Sequence, residues 1–178
     1  MAKWNIDPDH TVAAFKVRHF MITLVRGQFN KVSGFIDFDP ENPTQGSVEA
    51  TIETAGIYTG IPKRDDHLRS ADFLDVEHFP TITFKSTRIE ETGLNYFKVT
   101  GDLTIRGNTR TVTLDVEYLG QMKSPFDDDI SVGFSASTRI NRFDFGVNWN
   151  VEMEKGGQVA GKELTLLLET EADLTPAE

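Results

Sequence analysis

Apolar and polar positions alternate most clearly between Tyr96 and Tyr118. Phe97, Val99, Gly101, Leu103 and Ile105 fall on one face of an extended chain, and Lys98, Thr100, Asp102, Thr104 and Arg106 on the other. That period of two marks a half-buried strand. Arg106-Gly107-Asn108-Thr109 reads as a turn, after which Val112, Leu114, Val116 and Tyr118 alternate with Thr111, Thr113, Asp115 and Glu117. The pattern predicts a long antiparallel hairpin with one apolar face. Gly101 leaves a gap in that face and marks a bend where a sheet curls. A single hairpin of this kind is not stable in water, so other strands must cover it.

The same period recurs along the chain. Thr11 to His19, with Ala13, Phe15 and Val17 on one face, predicts the first barrel strand. Phe20 to Val25 is apolar almost throughout and stops at Arg26-Gly27, which predicts a short helical or irregular segment at a barrel end. Gln28 to Asp39 reads as a strand with a bulge at Gly34, and the prolines and Asx residues of 39–46 as a loop. Val48, Ala50, Ile52 and Thr54 then alternate with Glu49, Thr51 and Glu53, putting small or branched side chains inward.

Between Ile57 and Phe79 the period shifts towards that of a helix. Pro62 suits its first position, Asp65 and Asp66 its positive end, and Asp65 with Arg69 an i,i+4 ion pair. His67, Leu68, Ala71 and Leu74 share a stripe, as expected of a helix crossing one end of a barrel. Strands resume at Thr81 to Ser86. A turn follows at 90–95, then the hairpin, an acidic loop at 120–129, a strand from Val132 to Arg139, an aromatic segment ending at Trp149, a glycine-rich turn at 154–161 and a closing strand from Leu164 to Glu171. With no internal repeat and no linker, the chain reads as one domain over residues 1–178. The fold class expected is all-β: an up-and-down antiparallel barrel of about eight strands with a short helical insertion near residues 62–75. A barrel of that size either fills with side chains or holds one small ligand. The inward set mixes Ala13, Ala50, Gly101 and Ala136 with Phe15, Phe84, Phe97 and Phe134, which favours a channel.

Composition narrows the function. A formal charge of -10 argues against binding to nucleic acid or to an anionic membrane surface, both of which reward a positive field. The absence of cysteine excludes disulfides, thiolate metal sites and thiol nucleophiles. No stretch approaches a membrane span, so no stable membrane insertion is expected. The opening Met1 to Pro8 has no apolar core long enough for a signal peptide, which makes the cytoplasm the expected compartment, or the periplasm if a leader was trimmed.

Candidate chemistry is sparse. Lys63-Arg64-Asp65-Asp66-His67 places an imidazole beside carboxylates, but without a visible nucleophile a charged helix start explains it better than catalysis. His10, His19, His67 and His78 show no paired ligand spacing, so no metal site is expected. Residues 101–107 are bounded by glycine yet lack the lysine and following helix of a phosphate loop. Asn141 to Gly146 reads equally as a polar ligand clamp or as Arg142 buried against Asp144 at a barrel corner.

Several ordered motifs carry a resemblance: Trp4-Asn5-Ile6-Asp7-Pro8-Asp9-His10, Phe15 to His19, Val25 to Phe29, Arg64-Asp65-Asp66-His67-Leu68-Arg69-Ser70, Phe79 to Ser86, Gly101 to Gly107 and Asn141 to Gly146. Together they resemble the YceI-like family of bacterial lipid-binding proteins over nearly the whole chain. The resemblance implies a lipocalin-like eight-stranded barrel that binds a polyisoprenoid or an isoprenoid quinone in an elongated apolar channel, commonly as a homodimer. It brings no catalytic residues and no required cofactor, only a bound isoprenoid lipid or quinone. Unlike many members, this chain shows no export signal.

The reading that follows is a non-catalytic module that shields a long-tailed amphiphile from water. Its expected wall is Phe15, Val17, Val48, Ala50, Ile52, Ile82, Phe84, Phe97, Val99, Leu114, Val116, Phe134 and Ala136, with Phe20, Met21, Leu68 and Trp149 near a mouth. Arg18, His19, Arg64, Asp65, His67, Asn141 and Arg142 are candidates to meet a headgroup or to pin the helix. The rivals are a lipid-modifying isomerase or hydrolase working through His67 or His19, and a filled barrel with a structural role.

Overall fold

The computed structural model describes residues 1–126, 128–154 and 156–175. Its strands are β1 (Ala2–Ile6), β2 (Val12–His19), β3 (Thr23–Phe29), β4 (Val32–Phe38), β5 (Ser47–Glu53), β6 (Ile57–Tyr58), β7 (Thr81–Gly93), β8 (Tyr96–Ile105), β9 (Asn108–Lys123), β10 (Ile130–Asn141) and β11 (Ala160–Leu174). One helix, α1 (Pro62–Arg69), lies between β6 and β7.

Every pairing between these strands is antiparallel, and they close into a barrel of eight staves. β1 and β2 form one interrupted stave, since both pair with β11 while β1 also pairs with β4 and β2 with β3. β3 and β4 form the second stave. The third is β5, extended by β6, which pairs back onto β3. β7 to β11 complete the ring in chain order, and the β1–β11 pairing shuts it. The expected class of fold is therefore present. Closure also removes the free edges that an open sheet of this length would expose.

The first stave breaks at residues 7–10, and Thr11 repairs the ladder. Asp7 N donates to Glu171 O at 2.9 Å, and Thr11 Oγ1 donates to the same oxygen at 3.2 Å. Glu171 N in turn donates to Thr11 Oγ1 at 3.2 Å.

Several local expectations are corrected. Phe20 to Val25 is not helical: residues 20–22 make a tight turn and Thr23 already begins β3. Gly34 makes no bulge, because the β4–β5 register runs through it unbroken. Its φ is +141°, and a Cβ there would lie 2.0 Å from Glu49 O, so glycine is required for close approach of two backbones. The space at Gly101 is not a gap but is taken by the Phe84 ring, which a Cβ would meet at 2.6 Å. The register shifts there, between Ser86 and Arg88 on the facing strand. The acidic loop is shorter than expected, since β9 runs on to Lys123; its residue Asp127 lies outside the described residues.

Helix α1 begins at Pro62 as expected but stops at Arg69, and Ala71 is exposed beyond it. The Asp65–Arg69 pair does not form. Asp65 is buried and accepts from Thr59, whereas Arg69 meets Asp66 at 3.0 Å and donates to the carbonyls of Ala55 and Ile57. Those backbone bonds hold α1 against the barrel end. Arg106, in the β8–β9 turn, reaches the carbonyls of Ala71, Phe73 and Gly146, tying the segment after α1 to the one after β10.

The interior divides in two. Trp4, Phe38, Val132, Phe134 and Ala172 pack solidly towards one end, with Trp4 Nε1 donating to Phe38 O at 3.1 Å and the rings of Phe38 and Phe134 edge to face. A larger set, including Phe29, Val32, Ile57, Phe73, Leu103, Ile140 and Phe145, spans the middle and the α1 end.

Candidate functional site: an apolar cavity inside the barrel

The two packed regions do not fill the space between the sheet walls. A cavity of about 450 Å³ remains, within the range of roughly 300–1,000 Å³ usual for small-molecule sites. Strand parity sets its walls. β2 supplies Ala13, Phe15 and Val17; β5 supplies Val48, Ala50 and Ile52; β7 supplies Ile82 and Phe84. β8 adds Phe97 and Val99, β9 Leu114 and Val116, and β10 Phe134 and Ala136. Each residue in the expected wall therefore borders the cavity, as do Leu68 of α1 and Trp149. Phe20 and Met21 do not. They stand in the β2–β3 turn, 43% and 56% exposed, beside the lining residue His19.

The wall also has members that the expected set omits: Val25, Phe29, Ile57, Phe73, Leu103, Ile105, Val112, Ile140, Phe145, Val147, Leu164, Leu166 and Leu168. Those on β8, β9 and β11 obey the same alternation and were open to the same argument. Phe73, Phe145 and Val147 come from turns, where no period announces which way a side chain points.

Few polar residues line the cavity. Arg18, His19, Arg64, His67 and Arg142 border it, along with Asp37, Ser47 and Thr170. Most of these are already engaged. Arg64 Nε donates to Thr59 Oγ1 at 2.7 Å and its Nη2 to Thr59 O at 2.9 Å. Thr59 Oγ1 in turn donates to Asp65, which also accepts from Thr59 N at 2.9 Å. Arg64 and Asp65 thus pin α1 to the preceding chain through one threonine, and Asp65 does not border the cavity. Asn141 is also absent from the lining. Its Oδ1 accepts from Phe143 N at 3.0 Å and caps the short turn of helix at Arg142–Phe145.

Arg142 settles the choice at Asn141 to Gly146. It is 3% exposed, yet it meets no carboxylate among the described residues, and Asp144 is on the surface. Nε donates to Gly161 O at 2.8 Å, Nη1 to Val147 O at 2.6 Å and Trp149 O at 2.9 Å, and Nη2 to Ala160 O at 3.1 Å. The guanidinium is solvated by backbone dipoles, and burial lowers its pKa. It joins the chain after β10 to the start of β11. The His67 ring is T-shaped to those of Phe73 and Trp149, with centroids 5.0 and 4.8 Å away, and its Nε2 lies 2.7 Å from Asp72 Oδ2.

His10 and His78 are absent from this lining. His10 Nδ1 is 2.6 Å from Asp7 Oδ2 at the break in the first stave, with Glu171 close by. This triplet, of which only His10 is exposed, joins residues far apart in sequence, which spacing alone does not reveal.

A closed up-and-down barrel around an internal apolar cavity defines the class of this protein, an architecture shared with the lipocalins. The chain belongs to the YceI-like family, whose YceI-like domain profile matches residues 4–172. It is 38% identical to a UPF0312 protein of Staphylococcus epidermidis, over 92% of this chain and 93% of that one. A UPF0312 protein of Vibrio cholerae is 36% identical over 78% of this chain and 72% of its own. Among solved structures, Burkholderia cenocepacia BcnA superposes with a TM-score of 0.80 at 26% identity, covering 93% of this chain and 98% of BcnA. A YCEI protein of Campylobacter jejuni gives 0.73 at 30% identity, with 90% and 91% covered. A polyisoprenoid binding domain from Saccharophagus degradans shares the fold with a TM-score of 0.69 at 14% identity, covering 98% of this chain and all of that one.

Proposed function

We propose that this protein binds and carries a long-tailed amphiphile, a polyisoprenoid or isoprenoid quinone, with its tail inside the barrel. The supporting observation is the cavity itself, roomy and almost wholly hydrocarbon-lined. The polar groups at its α1 end are largely committed to holding the backbone. Such a wall selects by burial. Each methylene removed from water contributes about 0.8 kcal/mol, so a tail of roughly ten carbons offers several kcal/mol against the freedom lost on binding. No directed contact to the tail is needed. The choice of an isoprenoid is the one the family resemblance favours.

The test is native mass spectrometry of freshly purified protein, followed by organic extraction and identification of what leaves with it. A stoichiometric isoprenoid that competes with added polyprenyl probes supports the proposal. An empty protein that takes up neither isoprenoid nor acyl probes overturns it.

One observation favours a second reading, a lipid-modifying enzyme. His67, backed by Asp72, stands at the cavity edge among Phe73 and Trp149. Conversion of an isoprenoid alcohol or ester that stops on His67→Ala with the fold intact would select the enzyme over the carrier.

A further inference from the structure

The chain carries 28 acids against 18 bases, yet from Thr11 to Ile36 there is not one carboxylate. This stretch contains the β2–β3 hairpin. On its outer face Lys16 stands directly opposite Arg26, and Arg18 opposite Leu24. Like charges facing each other across a strand pair are unfavourable unless something neutralises them. Among the described residues, Lys16, Arg18 and Arg26 have neither an ion pair nor a side-chain hydrogen bond.

The tip of this hairpin is apolar and held outward. Ile22 N donates to His19 O at 3.1 Å, closing a two-residue turn on Phe20 (φ 50°) and Met21 (φ 63°). Both central residues adopt the left-handed conformation that asparagine and glycine usually supply, at a cost of about 1–2 kcal/mol each for ordinary side chains. In return Phe20, Met21 and Ile22 project into solvent at 43%, 56% and 82% exposure. Backbone strain that displays large apolar groups to water points to a role outside folding. The tip also adjoins the cavity: Phe20 N donates to Val159 O at 2.9 Å, and His19, Val25 and Val159 all border that space.

We infer that the β2–β3 tip docks on an anionic lipid bilayer, with Phe20, Met21 and Ile22 entering the headgroup region and Lys16, Arg18 and Arg26 facing the lipid phosphates. The formal charge of the whole chain does not forbid this. A surface potential acts within a Debye length of about 10 Å at 0.1 M salt, so the hairpin that faces it counts for more than the acids at the far end of the barrel. The opposite end of the barrel supplies a contrast. Leu94 and Phe126 are also exposed there, at 85% and 94%, but Glu90, Glu91, Glu117, Asp128 and Asp129 lie close to them in the chain or across strand pairs. An anionic surface would repel that end. Docking is peripheral, and among the described residues no helix is long and apolar enough to cross a membrane.

The experiment is co-sedimentation of the full chain with vesicles of phosphatidylcholine alone or mixed with phosphatidylglycerol. These contain no isoprenoid, so the result is independent of what fills the cavity. Binding to the mixed vesicles, weakening as salt rises, is expected. The triple variant Phe20→Ser, Met21→Ser, Ile22→Ser should lose it at least tenfold while keeping the wild-type circular dichroism. Lys16→Gln with Arg26→Gln should abolish the preference for phosphatidylglycerol, whereas Leu94→Ser with Phe126→Ser should change nothing. Equal sedimentation with and without phosphatidylglycerol would overturn the inference. So would retained binding by the tip variant, loss of binding by the Leu94/Phe126 variant, or self-association through the tip without vesicle binding.

Discussion

Thr11 and Glu171 exchange two hydrogen bonds, the threonine hydroxyl donating to the glutamate carbonyl and accepting from its amide, each at 3.2 Å. One side chain thereby does the work of a backbone rung where the first stave is interrupted. Thr11→Val keeps the shape and removes both bonds. Leaving a buried backbone group unpaired costs about 1–3 kcal/mol, and urea denaturation should show a loss of that order, with Thr11→Ser recovering most of it. An unchanged midpoint for the valine variant would mean that the break is closed by other means.

Ala50 borders the cavity and pairs with Phe84 across β5 and β7. In a filled core, Ala50→Phe would overpack at about 1–3 kcal/mol. In a hollow barrel the added ring occupies free space, so thermal stability should hold while uptake of a polyprenyl or fatty acyl probe falls. Fluorescence displacement and a melting curve on the same sample separate the two cases.

Arg142 serves four carbonyls at once. Arg142→Met removes this donor from all four, with Ala160 O alone keeping a second side-chain donor, Asn150 Nδ2 at 2.8 Å, and the expected penalty is about 3 kcal/mol or more, since each buried acceptor left unpaired costs of order 1–3 kcal/mol. Arg142→Lys should rescue little, because an ammonium is a point donor without the planar fork. Guanidinium denaturation of both variants checks this. A lysine variant of wild-type stability would show that charge, not geometry, is what the site needs.

His10 and His78 each sit beside an aspartate, and the hydrogen bond to Asp7 or Asp75, reinforced by its charge, raises each imidazole pKa above the ordinary 6.5. A raised folded value means stabilisation that is complete below 6.5 and fades as pH climbs through the folded pKa. For Asp7 the balance runs the other way. Burial pushes its pKa up, but the His10 hydrogen bond, the Asp9 amide and the His10 charge outweigh it and leave the pKa below 3.8, so that contribution is lost as pH falls. The stability gap between wild type and His10→Gln should therefore be larger near about pH 5 than near about pH 9. Equal gaps would refute the coupling.

The walls of the cavity were legible because strands obey a strict parity: once Phe97 and Val99 face inward, Lys98 cannot. The same logic placed Ala50 and Phe84 on the inner face. It failed where the backbone is not extended. Phe20 to Val25 is apolar almost throughout, which suggested a short helical or irregular segment at a barrel end, yet it holds a hairpin tip whose turn takes residues that seldom make one. Asp65 and Arg69 have ideal helical spacing, but each found a partner outside the helix, Thr59 for one and the carbonyls of Ala55 and Ile57 for the other. Arg142 read equally as part of a ligand clamp or as half of an ion pair, and only the folded loops show that backbone oxygens surround it. Contacts made by turns depend on the closed ring, and no local window of sequence contains them.

The seam of the ring joins β11 to β1 and β2, residues some 160 positions apart in the chain. Until β11 leaves the ribosome, the nascent protein is an open sheet: its first stave and β10 both carry unpaired edges, and its oily lining is turned to water. Contacts of such separation form late and slowly, and uncovered edges invite pairing with a neighbour. Premature termination before β11 should therefore yield aggregates rather than a smaller barrel, and a cell that makes this protein has reason to keep chaperones close to its unfinished chains.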